Sequence, residues 1–323
     1  MTTQASRDTA SPPTAPIRRS AVARLIQRRP MASFFVIAYL GSWVLWLPYI
    51  LGPDGLGLEP GIELPKLLGS TELAGVLPGA YAGPLGAAFL VTLVAGGGPA
   101  LLRWRHRLNR WRVGVKWYLL ALVGTPALLM LGTLPLPGVL DDVRAPGAAV
   151  VATYVAMLPL QIVTSGLAEE PGWRDFALPI LQYRYGPLRG TGMLGVLWAI
   201  WHFPLFATRW SYMGDRVGRP EWYGTIAVFT VMCVMISFFI TWVFNRTNES
   251  LPLAMMLHAS VNNTASVLLF AIFPALPMDL GLLPALIAFT AVGLAVLVAT
   301  RGGLGYRRPE VGPELSVRLL PGG

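Results

Sequence analysis

The chain has 323 residues, of which 54% are hydrophobic and only 13% are charged. That charged share is about half that of an ordinary soluble domain, so the composition predicts a polytopic membrane protein. The formal net charge of +9 does not indicate a nucleic-acid partner, because the basic residues lie in short connections between apolar runs and not on one soluble face. With Cys233 as the one cysteine, a disulfide framework and a thiolate metal cluster are both excluded.

Apolar runs long enough to cross a bilayer fill most of the chain. A hydrocarbon core of about 30 Å requires about 20 apolar residues in a helix. The sequence therefore predicts an all-α, polytopic membrane helical bundle of about eight transmembrane helices over residues 33–300. The predicted spans are 33–51, 73–96, 117–137, 148–168, 191–207, 223–244, 252–273 and 280–300.

The two ends of the chain differ from this bundle. Residues 1–32 are polar and rich in arginine, and we expect a disordered basic tail there. Residues 301–323 are rich in glycine, proline and arginine, and we expect a second disordered tail. Both tails should lie on one side of the membrane, because the predicted number of spans is even.

The arginines predict which side that is. Nineteen of the 25 basic residues fall on the side of the termini, five fall on the other side, and Arg174 lies within the apolar zone. The positive-inside bias therefore places both termini in the cytoplasm of a multi-pass plasma membrane protein. Lys66 and Lys116 are the only lysines, and together with the abundant alanine, glycine and proline this composition is typical of a GC-rich bacterial genome.

A few polar side chains interrupt the apolar spans. A charge at membrane depth costs about 2.5 to 3.5 kcal/mol on insertion scales, so an ionisable residue there indicates a functional site. Two of the three histidines of the chain are in this group. The intramembrane polar residues are Glu169, Glu170, Arg174, Asp175, His202, His258, Asn262 and Asn263.

Helical spacing groups several of these side chains. His258 and Asn262 are four residues apart, so they share one helix face and can reach the same small volume. The same spacing excludes the next residue, Asn263, from that face. Trp198 lies four residues before His202 and is expected to pack beneath it.

The carboxylates lie beside a proline. Glu170 and Arg174 have the spacing of an ion pair, which leaves Glu169 about 100° around the helix. Pro171 predicts a kink or a restart of the helix at this point. The acids reach the depth of the two histidines only if the helix continues to about Gln182, so we expect a long bent helix with the acids in a cavity that opens toward the cytoplasm.

Three motifs in this order resemble a known family. The segments Glu169-Glu170-x-x-x-Arg174, Trp198-x-x-x-His202 and His258-x-x-x-Asn262 are similar to the signature motifs of the CPBP family, the CAAX-prenyl-protease and bacteriocin-processing intramembrane endopeptidases, also called the Abi family. The resemblance covers a motif-bearing core of about residues 147–273. It departs from the family at Trp198, where the second motif usually begins with phenylalanine.

Peptide hydrolysis requires an activated water, donors for the oxyanion and a proton for the leaving amine. The preferred assignment makes Glu169 the general base on a water that His202 also holds. The resemblance implies that His258 and Asn262 bind the carbonyl oxygen. Glu170 and Arg174 would fix the position of Glu169, although direct participation of Glu170 stays open. The catalytic candidates are therefore Glu169, Glu170, Arg174, His202, His258 and Asn262.

Other chemistries remain open at this point. Glu169, His202 and His258 could bind a divalent metal such as zinc, but an H-E-x-x-H helix is absent and the metal-free version is preferred. An ion- or proton-coupled transporter and a non-catalytic immunity or scaffold protein are the alternative functions. As partners we expect the lipid bilayer and a membrane-embedded or membrane-anchored peptide or protein substrate, with no nucleic acid.

Overall fold

A computed structural model describes residues 20–211 and 213–310 of the chain. These residues form helices and loops with no β-strand, so the predicted all-α membrane bundle is confirmed. The helices are α1 Ala21–Arg28, α2 Pro30–Leu51, α3 Glu72–Leu108, α4 Val115–Thr133, α5 Ala148–Ala207, α6 Pro220–Arg246, α7 Leu251–Ile272 and α8 Met278–Ala299.

Seven of the described helices, α2 to α8, are long and apolar enough to cross a membrane. The difference from the predicted eight lies in α5, whose 60 residues contain two predicted spans. A helix of that length would extend about 90 Å, three times the hydrocarbon core. Gly186 interrupts it with φ 78° and ψ 165°, and a Cβ added at Gly190 would lie 2.6 Å from the Leu181 carbonyl. The chain therefore reverses at Gly186 and packs a second arm against the first.

The helix α1 lies inside the segment where the sequence predicts a disordered tail. The Ser20 hydroxyl caps it by accepting a hydrogen bond of 3.2 Å from the Ala23 amide. Ile26 is buried, and the Gln27 side chain donates to the Val94 carbonyl at 3.0 Å. The Gln27 contact with α3 and the burial of Ile26 hold this short helix against the bundle.

The remaining parts of the two predicted tails fall mostly outside the described residues. Residues 1–19 and 311–323 are among them, so the expectation of disorder there stays a prediction. Residues 301–310 are described and correct the predicted disorder over that range, because Leu304 is buried and its carbonyl accepts a hydrogen bond from the Asn245 side chain.

The first arm of α5 continues as a helix past Pro171 to the bend at Gly186. The predicted continuation to about Gln182 is therefore present. Wide π-helical turns, Ile162–Leu167 and Pro171–Ala177, flank the acidic residues. Proline has no amide hydrogen and its ring crowds the preceding turn, and a widened turn relieves both conflicts. The helix therefore continues through Pro171 without a restart.

Two glycines bring this part of α5 into the centre of the bundle. A Cβ at Gly172 would lie 2.6 Å from the Pro84 carbonyl oxygen on α3, and a Cβ at Gly166 would lie 2.8 Å from the Met255 carbonyl oxygen on α7. Neither position has room for a side chain. The acidic turn between them is therefore packed between α3 and α7.

Candidate active site

Glu169 is a buried carboxylate with two close neighbours. The indole N–H of Trp198 donates to Glu169 Oε2 at 2.7 Å. His202 Nε2 lies 3.9 Å from the same oxygen. That distance is too long for a direct hydrogen bond but short enough for one water to contact both groups.

The backbone fixes the orientation of the His202 ring. His202 Nδ1 lies 2.9 Å from the Trp198 carbonyl oxygen, four residues earlier on the helix. A carbonyl oxygen only accepts, so Nδ1 carries the proton. In a neutral imidazole the Nε2 atom is then an acceptor, and it faces Glu169. Trp210 stacks on this ring, with centroids 5.5 Å apart and planes at 21°.

Glu170 contacts a different histidine. His258 Nδ1 lies 2.8 Å from Glu170 Oε1, and Arg174 Nε lies 3.3 Å from Glu170 Oε2. The predicted pair of Glu170 and Arg174 is therefore present. The sequence assigns this pair to the support of Glu169, whereas the structure shows it beside His258. The Arg174 guanidinium also lies 4.5 Å above the Trp198 ring, which is a cation–π distance.

Asn262 on α7 is half-buried and lines the same cavity as His258. The neighbouring Asn263 is directed elsewhere and donates to the Tyr154 carbonyl at 2.8 Å. Helical spacing therefore selects the correct asparagine. Asp175 lies outside the group, since Arg107 Nη1 contacts its carboxylate at 2.9 Å.

A cavity of about 450 Å³ joins these side chains. Glu169, His202, His258 and Asn262 line its inner part, together with Trp198. Residues at the far ends of α3, α5 and α7, on the side opposite the termini, line its outer part. These outer residues include Glu72, Leu73, Leu205, Ala265 and Ser266.

The direction of this cavity corrects the sequence-based expectation of an opening toward the cytoplasmic end that carries the termini. The exposed residues Glu72 and Ser266 line its outer part. On the opposite side of the acids, Trp173 and Arg174 have no exposed surface, and Asp175 is buried against Arg107. These side chains fill the space toward the termini, so the cavity leads from the acids to the opposite end.

The alternative metal site would use Glu169, His202 and His258. Among residues 20–211 and 213–310, no group of three or more His, Cys, Asp or Glu side chains is arranged to hold a metal ion. His258 contacts Glu170 through Nδ1, which leaves its Nε2 atom available. The metal-free version stays a prediction.

Comparison with known proteins agrees with the motifs. Residues 151–264 match the family described as Type II CAAX prenyl endopeptidase Rce1-like. All six predicted site residues lie within the matched segment. This match supports the resemblance of residues 151–264 to the CPBP family. It is also similar to CAAX prenyl protease 2 of Methanococcus maripaludis, with 28% identity over 140 residues, which is 42% of this chain and 51% of that protein. The chain thus matches about half the length of that protein.

Two contacts of the site were not predicted from the sequence. The spacing placed Trp198 beneath His202 but gave no sign that its N–H reaches Glu169 on the other arm of α5. The contact between Glu170 and His258 joins residues 88 positions apart. A buried carboxylate requires partners, so the sequence indicates that such contacts exist, but only packing selects the partner.

Proposed function

We propose that this protein is an intramembrane endopeptidase that hydrolyses a peptide bond of a membrane-associated substrate. The observation that carries the proposal is the buried pair of Glu169 and His202, whose Oε2 and Nε2 atoms lie 3.9 Å apart beside a cavity. A carboxylate and an imidazole acceptor at that separation can hold and deprotonate one water.

The nucleophile in this proposal is a water between the two groups. His202 Nε2 accepts one hydrogen bond from the water, because Nδ1 is committed to the Trp198 carbonyl. Glu169 accepts the other and removes that proton as the oxygen attacks the peptide carbonyl. The resulting carboxylic acid then returns the proton to the leaving amine, so the base is regenerated.

His258 and Asn262 are proposed to stabilise the tetrahedral oxyanion. The Asn262 amide can donate from the cavity wall. His258 uses Nδ1 to contact Glu170, so Nε2 is the nitrogen available to a substrate. An imidazolium paired with the Glu170 carboxylate presents an N–H at that atom. Removal of one oxyanion donor typically lowers kcat by about 10² to 10³.

The remaining site residues hold these groups in place. Arg174 neutralises Glu170 and stacks on Trp198, and Trp198 holds the Glu169 carboxylate. In this assignment Glu170 acts on His258 rather than on the reacting water. Its role is therefore positional and electrostatic.

The position of the site supports a membrane-embedded or membrane-anchored substrate, because the cavity lies among helices that are long and apolar enough to cross a membrane. The similar Methanococcus maripaludis protein is named for CAAX prenyl processing. The bacterial-type composition favours maturation or clearance of a membrane-anchored peptide, since prenylated C-terminal tails are generally lacking in bacteria.

The direct test compares the wild type with Glu169→Ala, His202→Ala and His258→Ala for cleavage of membrane-anchored peptides in detergent. We expect cleavage by the wild type and a loss of at least about 10² in each variant. Unchanged thermal unfolding would show that each variant is folded. Equal cleavage by all four proteins would remove the proposal and favour the transporter or scaffold alternatives.

Metal dependence is tested on the same assay. We propose a metal-free mechanism, so cleavage should survive thorough chelation and purified protein should contain no stoichiometric zinc by elemental analysis. Loss of activity on chelation with recovery on added zinc would contradict this part of the proposal and leave the endopeptidase assignment intact.

A further inference from the structure

The cavity has a polar inner end and an apolar outer wall. The outer wall is formed mainly by aliphatic and aromatic side chains of α3, α6 and α7. Its members include Leu73, Val76, Leu77, Phe229, Met232 and Val261. The volume of about 450 Å³ lies within the range of about 300 to 1,000 Å³ typical of small-molecule sites. It is therefore suited to a short extended segment of chain and not to a folded domain.

Glu72 differs from the rest of this wall. Among the described residues that line the cavity, it is the one charged side chain besides the candidate catalytic groups. Glu72 is exposed, and its carboxylate makes no hydrogen bond or ion pair with any described residue. A nearby cation on the same face, Arg209, is already paired with Asp54 at 3.2 Å. An uncompensated negative charge thus lies at the entrance of an apolar passage.

We infer that the cavity admits an extended, mainly apolar peptide from the face opposite the termini, and that Glu72 selects peptides that carry a basic residue at the entrance. This inference rests on the proposed endopeptidase function and adds a substrate class to it. An apolar wall favours apolar side chains by burial. An acid at the rim attracts a positive charge and disfavours a negative one.

The distance from Glu72 to the acids sets the position of the basic residue. Pro84 packs against Gly172, so these two residues lie at the same depth. Glu72 is twelve residues before Pro84, or about 18 Å along the helix, and Glu169 lies about 4.5 Å closer to the entrance than Gly172. The remaining separation of about 13 Å corresponds to about four residues of an extended peptide at about 3.3 Å each.

The experiment uses three membrane-anchored peptides built on a sequence that the wild type cleaves. They carry lysine, glutamine or glutamate four residues from the cleaved bond, on the side that reaches the entrance. For the wild type we expect kcat/KM to be about tenfold higher with lysine than with glutamate, mostly through KM. For the Glu72→Lys variant, kcat/KM should be higher with the glutamate peptide than with the lysine peptide. For Glu72→Gln, the two kcat/KM values should be nearly equal.

Glu221→Lys is the matched control, because Glu221 is an exposed acid on the same face, in the first turn of α6, and does not line the cavity. This variant should keep the wild-type preference for lysine. The same preference in wild type and Glu72→Lys, with the glutamine peptide still cleaved, would overturn the role of Glu72 while leaving the endopeptidase function standing. Failure of the wild type to cleave any peptide would instead overturn the proposed function and this inference with it.

Discussion

Trp198 contacts four other residues of the candidate site, which is more than its place beneath His202 predicts. Its N–H bonds to Glu169, its ring lies beneath the Arg174 guanidinium, and its edge contacts the His202 and His258 rings at centroid distances of 5.8 Å and 5.3 Å. A phenylalanine, the usual residue of the family at this place, could keep the ring contacts and would lose the hydrogen bond. Trp198 therefore couples the two acidic residues to both histidines.

We predict that Trp198→Phe lowers kcat and leaves KM nearly unchanged. A hydrogen bond to a charged group contributes about 1.5 to 3 kcal/mol, so the loss should be about tenfold or more. The measurement is steady-state cleavage of a membrane-anchored peptide. Trp222→Phe is the control, because it removes an indole hydrogen bond of 2.8 Å to the Phe206 carbonyl outside the cavity. Equal kcat values for Trp198→Phe and the wild type would contradict a positioning role.

At the scale of single residues, the sequence identified the side chains that meet and missed how they pair. Four-residue spacing brings Glu170 near Arg174 and separates Asn262 from Asn263, because helix geometry alone decides such neighbours. The pairing of Glu170 with His258 depends on how α5 packs against α7. No local pattern contains that information.

At the scale of helices, Arg107 ties together the two elements that carry the site. Its Nη1 contacts Asp175 at 2.9 Å on α5, and its Nε contacts Glu249 at 2.8 Å in the turn before α7. Arg110 also donates to the Asn248 carbonyl in that turn. The end of α3 therefore fixes the relative position of the acidic turn and the His258 helix.

We predict that Arg107→Gln destabilises the protein and lowers cleavage together with it. The Asp175 side chain is 4% exposed, and loss of its partner leaves a buried charge uncompensated, which costs about 3 kcal/mol. Thermal unfolding in detergent measures the change. Arg112→Gln is the control, because Arg112 is an exposed arginine in the connection between α3 and α4, and this variant should unfold like the wild type. Equal stability of the two variants would contradict the proposed stabilising role of the Arg107 contacts.

The helices themselves were largely predictable, and their irregularities were not. The length of an apolar run predicts a membrane-spanning helix, because backbone groups in lipid have hydrogen-bond partners only within the helix itself. The two crossings joined within α5 were predicted as separate spans, and the chain reverses between them at Gly186. The π-helical turns around Pro171 depend on close packing against α3 and were not visible in the sequence.

At the scale of the whole molecule, the site lies between a closed end and an open end. The closed end carries Arg103, Arg105, Arg107, Arg110 and Arg112, and the cavity leads to the other face. The sequence predicted that an acid and the two histidines share one cavity, as Glu169, His202 and His258 do, but it predicted the wrong direction for the opening. The direction depends on which side chains fill the space around the acids. Counting residues along single helices gives a depth but not the side on which the cavity opens.

The orientation of this molecule in the membrane follows from the arginine bias, and we predict that the termini are cytoplasmic. Cys233 is buried, so a cysteine introduced at an exposed position is the reactive thiol toward an impermeant maleimide. In intact cells, Asp215→Cys should be labelled and Arg112→Cys should be labelled only after lysis. The reverse pattern would place the cavity entrance on the cytoplasmic face and overturn the predicted orientation.

The measurement that tests the central claim most directly is the cleavage rate of Glu169→Gln. Glutamine has nearly the shape of glutamate, and its carbonyl oxygen can still accept the Trp198 N–H, but it cannot take a proton from water. We predict that the variant unfolds like the wild type, binds peptide with similar affinity and loses at least about 10² in kcat. A folded Glu169→Gln protein that cleaves at the wild-type rate would contradict the account.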